Sequence, residues 1–298
     1  MRYIVESING AVTFLLLAVQ TLVLAPAVIL LGVAKLVLPF QPVSKICAST
    51  IILLSERWVG NNRLIFKLMH RTQWEVQGLE ALNKRSWYLI VSNHQSWVDI
   101  LVLQTIFYRR IPFLKFFLKK ELIWVPVMGL AWWALDFPFM KRYSSEFLKK
   151  YPHLKGKDIE ITKKACEKFK YKPISVMNFV EGTRFADTKH ERQRSPYSHL
   201  LRPKAGGVAF VFGAMGDYLE SILNVTIAYP QGVQNFWDFL CGRVKEIRVR
   251  VESIPITSAM LGDYFNDPEY RTRFQGWVND LWLEKNQTVI SLMDNQPN

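Results

Sequence analysis

His94 and Asp99 stand in the run Asn93-His94-Gln95-Ser96-Trp97-Val98-Asp99, directly after an apolar stretch, Trp87-Tyr88-Leu89-Ile90-Val91. The stretch reads as a buried strand, and Ser96 onward as the start of a helix. A strand that delivers a histidine and an aspartate to the mouth of a helix is a layout for proton transfer. Imidazole takes and returns protons near neutral pH, and a carboxylate within reach fixes its tautomer and stabilises the imidazolium. No serine or cysteine nucleophile accompanies the pair in a motif. If the pair is catalytic, the attacking group belongs to a substrate.

Spacing constrains the idea. Two residues five apart on one α-helix are separated by roughly 140°, so His94 and Asp99 meet only if His94 precedes the helix and the chain turns between them. With Ser96 as N-cap, Asp99 falls near the third helical position and His94 outside. The same pattern has a purely structural reading: Ser96-x-x-Asp99 resembles a capping box, and an aspartate near a helix N-terminus is favourable by itself.

The surrounding chain alternates strands and helices from Gln73 onward. Strands are expected at Trp74–Gly78, Trp87–Ser92, Ile111–Phe117, Leu135–Met140, Ser175–Val180, Leu223–Tyr229 and Lys245–Glu252. Helices are expected over Trp97–Tyr108, Asp158–Tyr171, Lys204–Met215 and Phe274–Met293, with a helical turn at Lys119–Glu121 broken by Pro126 and Gly129. This predicts an α/β fold: a mixed, mostly parallel sheet flanked by helices. Active residues then belong at the carboxyl ends of strands, where both His94 and the run Glu181-Gly182-Thr183-Arg184 lie.

A different texture precedes that domain. Ala11–Ala34 carries no charge, and its 24 residues would extend about 36 Å as a helix, against a hydrocarbon core of about 30 Å. A membrane helix is the first reading; a cleaved signal peptide and a buried soluble helix are the alternatives. Pro26 can kink the segment so that it dips and returns. Ile46–Leu54 is too short to span. It reads either as an interfacial partner helix, with Trp58 and Lys45 at headgroup depth, or as a core helix of the adjoining α/β domain. The chain is thus divided into a membrane-anchoring helical segment, residues 1–70, and a catalytic domain, residues 71–298. The formal net charge of +13 calls for an anionic partner. Cys47, Cys166 and Cys241 are far apart and suit a reducing compartment as buried apolar residues. His70, His153, His190 and His199 read as surface residues. No histidine pair has metal-ligand spacing with carboxylates, so no metal is expected.

In this order, Asn93-His94-(four residues)-Asp99, Glu181-Gly182-Thr183-Arg184 and Pro203-Lys204-Ala205-Gly206-Gly207 resemble the blocks of the glycerolipid acyltransferases of the lysophosphatidate acyltransferase (PlsC-type) family. Lys120-Glu121, Pro126 and Gly129 resemble that family's second block, and Asn224-Val225-Thr226 to Pro230 a later one. The texture is closest to the YihG-like bacterial branch. The run Leu135 to Arg142 departs from the commoner, glycine-bearing form of the second block.

The resemblance implies transfer of an acyl group from a thioester, acyl-CoA or acyl-ACP, to a hydroxyl of a lysophospholipid. The acceptor is expected to be 1-acyl-glycerol-3-phosphate and the product phosphatidic acid. His94 would deprotonate the acceptor hydroxyl and reprotonate the leaving thiolate, with Asp99 holding the ring. Arg184 is the candidate phosphate clamp, since a guanidinium matches phosphate bidentately. Glu181 would accept from the substrate glycerol or orient Arg184, Gly182 permit a tight turn, and Thr183 position the loop. Lys120 and Lys204 are secondary candidates for phosphate. No cofactor beyond the acyl donor is implied. The expected partners are membrane phospholipid and lysophospholipid, and the expected location is the cytoplasmic face of a bacterial inner membrane.

Three rival readings stay open. Aromatics in the lysine-rich stretch from Lys141 to Lys172 could stack on bases, although no helix-turn-helix, RRM or zinc pattern is present and no nucleic-acid partner is expected. A non-catalytic membrane-surface protein would leave His94 structural. A hydrolase would use water in place of the acceptor.

Overall fold

The computed structural model describes residues 2–38, 40–140, 172–232 and 235–294, with residues 163, 166 and 169 between. Two long helices come first. Arg2–Val37 (α1) runs unbroken through Pro26, and Gln41–Met69 (α2) starts with a proline in its first turn, where the missing N–H costs nothing. The two pack against each other, and the buried residues of α1 are Gly10, Thr13, Ala25, Val28 and Gly32. The glycines bring α1 close to the rest of the chain: a Cβ on Gly32 would lie 2.5 Å from that of Ala134. The outward face leaves Leu15, Leu22, Val23, Leu30 and Leu36 exposed.

The remaining elements form the sheet and its covering helices. The strands are Gln73–Gln77 (β1), Tyr88–Ser92 (β2), Leu114–Phe116 (β3), Leu118–Lys119 (β4), Phe139–Met140 (β5), Ser175–Phe179 (β6), Ser221–Ala228 (β7) and Glu246–Pro255 (β8). Six of them make one sheet in the order β1-β8-β7-β2-β6-β3. Every pairing in it is parallel except β7 with β8. The α/β architecture is therefore the one that the alternating pattern predicts. β2 is buried at all five positions, as a central parallel strand covered on both faces must be. The helices are Val98–Phe107 (α3), Met128–Ala134 (α4), Asp187–Gln193 (α5), Ala205–Met215 (α6), Phe236–Leu240 (α7) and Pro268–Asp294 (α8). One core cluster joins β2 and β6 to α6 and α8; another joins β7 and β8 to α3.

Several local expectations change. The strand read at Ile111–Phe117 shortens to β3. Only Phe139 and Met140 of Leu135–Met140 become strand, pairing with β4. Asp136 interrupts that run, taking a left-handed φ of 59°. The helical turn expected at Lys119–Glu121 is a 3-10 turn over Lys120–Trp124 that stops before Pro126; Gly129 does not break it but lies inside α4, which follows. Trp58 Nε1–H donates to Thr21 Oγ1 at 2.9 Å, toward α1. His70, read as a surface residue, is buried between Phe66 and Phe239. Cys47, Cys166 and Cys241 are buried free thiols, as expected. The helix read at Asp158–Tyr171, and most of the lysine-rich stretch, lie outside the described residues.

Candidate active site

Three adjacent parallel strands, β7, β2 and β6, end side by side, and each delivers one residue to the same place. β2 leads to His94, β6 to Glu181 and β7 to Tyr229. Asn93 pins the first of these turns. Its amide donates to Ile227 O at 2.8 Å and accepts from Ile227 N at 2.9 Å, tying the chain before His94 to β7.

His94 lies outside α3 and Asp99 within its first turn, so the chain turns between them as the spacing requires. His94 Nδ1 is 2.8 Å from Asp99 Oδ2. A carboxylate oxygen only accepts, so Nδ1 carries the proton and Nε2 is left as the basic nitrogen. The same Oδ2 accepts from the N–H groups of Gln95 at 2.6 Å and Ser96 at 2.9 Å, and Oδ1 accepts from the Tyr229 hydroxyl at 2.6 Å. The two sequence readings of Asp99 therefore hold together: one carboxylate reaches back to the start of the helix and orients the imidazole. Phe179 covers one face of His94, stacked at 3.7 Å between centroids and 11° between planes. Burial and the neighbouring Asp99 charge hold the Tyr229 phenol well above its usual range, so it stays a donor.

The Glu181-Gly182-Thr183-Arg184 run divides its work. Glu181 is fully buried; Oε1 accepts from His94 N at 3.1 Å and Oε2 from Leu201 N at 3.0 Å. It faces neither substrate glycerol nor Arg184, which corrects both roles expected from its position in the sequence. Each of its two oxygens is held by one backbone N–H donor. Burial pushes its carboxyl up to about 8, against the pull of those donors. Gly182 turns the chain at a φ of 68°, which favours glycine. Thr183 Oγ1 accepts from Lys189 Nζ at 2.7 Å, a loop-positioning role. Arg184 is exposed, its guanidinium 4.7 Å from the centroid of the Trp97 ring, a cation–π seat.

Two cavities meet at His94. One, of about 470 Å³, is apolar and runs between the N-terminal helices and the domain, lined by Ala25 and Val28 of α1, Trp58 of α2, Ile100 of α3 and Ala131 of α4. The other, of about 530 Å³, is basic and holds Gly182, Thr183, Arg184, Lys204 and the N-terminal glycines of α6. His94, Phe116, Phe117 and Phe179 line both. Lys204 thus joins the site. Lys120 does not; it is exposed and lines neither cavity.

Residues 73–227 match the family model described as Acyltransferase. This chain belongs to the acyltransferase family. Among curated proteins, this acyltransferase is 25% identical to lysocardiolipin acyltransferase 1 of Gallus gallus over 215 residues, covering 67% of this chain and 52% of that one. It is 24% identical to 1-acyl-sn-glycerol-3-phosphate acyltransferase gamma of Mus musculus over 209 residues, covering 66% and 51%. The chain thus spans about half the length of these relatives. Among solved structures it shares its fold with the 1-acyl-sn-glycerophosphate acyltransferase PlsC of Thermotoga maritima, at a TM-score of 0.57 and 16% identity over the full length of both.

Sequence reasoning missed three residues in or behind this site. Tyr229 directly follows a strand read from the sequence, so its place at a strand end was legible, though Asp99 as its partner was not. Phe179 looked like one more apolar strand residue. Lys285 of α8 carried no local signal. It is fully buried, with Nζ donating to Val225 O at 2.5 Å and to Thr226 Oγ1 at 3.3 Å, and burial lowers it to about 7.

Proposed function

We propose that this chain moves a fatty acyl group from an acyl thioester, acyl-CoA or acyl-ACP, to the free hydroxyl of a lysophospholipid, giving phosphatidic acid from 1-acyl-glycerol-3-phosphate. The observation that carries this reading is the position of His94 at the junction of an apolar cavity and a basic one. A fatty chain suits the first, and a phosphate suits the second, with Arg184 and Lys204 at its wall. His94 Nε2 takes the acceptor proton as the oxygen attacks the thioester carbonyl. The tetrahedral adduct collapses, the C–S bond breaks, and the same proton goes to the thiolate. Asp99 stabilises the imidazolium in between. Holding both substrates together, away from water, favours transfer over hydrolysis.

The same reading puts α1 along a membrane surface rather than across the bilayer. α1 is long and apolar enough to cross, at about 54 Å for a straight helix. Yet both its ends are fixed to the catalytic body: Glu6 pairs with Arg243 at 3.1 Å and Lys35 with Asp136 at 2.7 Å. A helix held at both ends by one body offers its exposed leucines and valines sideways to lipid. The YihG-like branch, and with it the cytoplasmic face of a bacterial inner membrane, belongs to this proposal on the strength of the motif series; the chicken and mouse relatives are animal proteins.

A larger acceptor headgroup is the second reading, such as that of lysophosphatidylglycerol. It is favoured by the basic cavity, whose volume of about 530 Å³ exceeds what a phosphate alone fills, and by the lysocardiolipin acyltransferase among the relatives. The test is purified protein with a panel of lysophospholipids and acyl thioesters, with products read by lipid mass spectrometry. His94→Ala should abolish transfer to every acceptor; transfer undiminished by that change ends the proposal.

A further inference from the structure

A third hollow, of about 640 Å³, opens between the C-terminal turns of α2, the end of α3 and the edge strand β1. It shares no lining residue with the two cavities that meet at His94. Arg63 and Lys67 come to it from positions i and i+4 of α2, one helical face, His70 from the extended residue that ends the helix, and Arg110 from the turn after α3. Like charges four apart on a helix disfavour each other. No ion pair relieves these three cations among the described residues; the nearby Glu56 is taken by Lys84 and Arg109. Arg63 rests over the Tyr108 ring at 4.9 Å, which positions the guanidinium without neutralising it.

His70 closes the inner wall of the hollow. It is 8% exposed, and its Nε2 lies 3.1 Å from Leu240 O, so that nitrogen donates. Burial favours the neutral ring, so it adds no charge to the three cations. Beside the hollow, α2 exposes Leu64 and Leu68, at 55% and 73%, so an apolar strip continues outward from the cations.

We infer that this hollow is an accessory binding site for an anionic phospholipid. The phosphate lies against Arg63, Lys67 and Arg110, and the acyl chains follow Leu64 and Leu68. The site is separate from the acyl-transfer centre and does not depend on the reaction proposed there. A lipid fits better than an acidic protein surface, because the cations border an apolar strip and converge on a concave pocket rather than a flat face.

The experiment uses the full chain in detergent and native mass spectrometry. The probes are dioleoylphosphatidylglycerol, dioleoylphosphatidylmethanol (the same charge without hydroxyls), dioleoylphosphatidylcholine and inorganic phosphate. Arg63, Lys67 and Arg110 are exposed, so the triple variant Arg63→Gln/Lys67→Gln/Arg110→Gln should fold. It should weaken phosphatidylglycerol retention at least about tenfold and leave phosphatidylcholine retention and basal acyl transfer unchanged, whereas Arg184→Ala should leave this binding intact. Wild type should retain phosphatidylglycerol and phosphatidylmethanol alike, since the cations recognise the charge. Phosphatidylglycerol should also slow amide exchange in residues 60–70 and 105–110. Retention equal in wild type and triple variant overturns the site. Binding of inorganic phosphate as tight as that of the lipid overturns its lipid character. Phosphatidylcholine retained as tightly as the two anionic lipids overturns its preference for negative charge.

Discussion

The Tyr229 hydroxyl donates to Asp99 Oδ1 at 2.6 Å, on the side of the carboxylate away from His94. The aspartate is thereby held from both edges, and the plane it offers to His94 Nδ1 is set by a residue of another strand. A hydrogen bond to a charged acceptor is worth about 1.5–3 kcal/mol, so Tyr229→Phe should lower kcat about tenfold, with little change in KM for either substrate. Steady-state kinetics on the purified variant, alongside its melting temperature, make the check. A fall in stability with kcat intact would assign Tyr229 to packing alone.

The order and kind of most elements were legible in the sequence because strand and helix periodicities are local. So was the turn between His94 and Asp99, which is dictated by helix geometry alone. What was not legible is pairwise. Asp136 shows why: it takes a left-handed backbone at a place where glycine would be easier, and it is paired with Lys35 about a hundred residues earlier in the chain. Glu181 looked like a substrate ligand beside Arg184, and nothing local said that the N–H groups of His94 and Leu201 would claim both its oxygens. Lys120 matched a motif by position, yet it starts an exposed 3-10 turn and lines neither cavity. The apolar cavity is built from well-separated stretches between Thr21 and Phe179, so no window of sequence contains it.

Glu181 gives a pH signature with a definite sign. Its folded-state value of about 8 lies above its ordinary value of 4.5. Between those two the folded chain keeps a proton that the unfolded chain has lost, so stability falls as pH rises through this interval. Lys285, lowered to about 7 from 10.5, is charged in both states below 7 and is silent there. Glu181→Gln removes the titration, and it also points an amide NH2 at a backbone donor, which costs about 1–3 kcal/mol. The variant should therefore melt below wild type at pH 5, with the gap narrowing by pH 7. Thermal unfolding at the two pH values decides it; a gap that widens reverses the assignment.

Arg184 should act on the phosphate and on little else. It is exposed and seated on Trp97, and no described carboxylate pairs with it. Arg184→Ala should raise KM for a phosphate-bearing acceptor roughly 10- to 100-fold, the loss of a charge-assisted bidentate contact of about 1.5–3 kcal/mol. Monoacylglycerol, which has no phosphate, should be acylated at the wild-type rate. Arg184→Lys should fall between, since it keeps the charge but loses the fork. Equal losses for both acceptors would contradict the clamp.

The apolar cavity predicts a change in chain-length preference. Ala131 of α4 lines it, in the same apolar cluster as Val28 of α1. An added aromatic ring there would occupy open volume rather than displace packed neighbours, so Ala131→Phe should avoid much of the about 1–3 kcal/mol that overpacking costs in a filled core. It should instead shorten the space left for a fatty chain. Acyl thioesters of several lengths, supplied together and read out as products by mass spectrometry, give the profile in one measurement. The variant should use the longest chains at least tenfold less well relative to the shortest, because a chain that cannot be seated fully leaves its thioester displaced from His94. A melting temperature close to wild type with an unchanged length profile would mean that the fatty chain lies elsewhere, and that the cavity between the N-terminal helices and the domain serves another ligand.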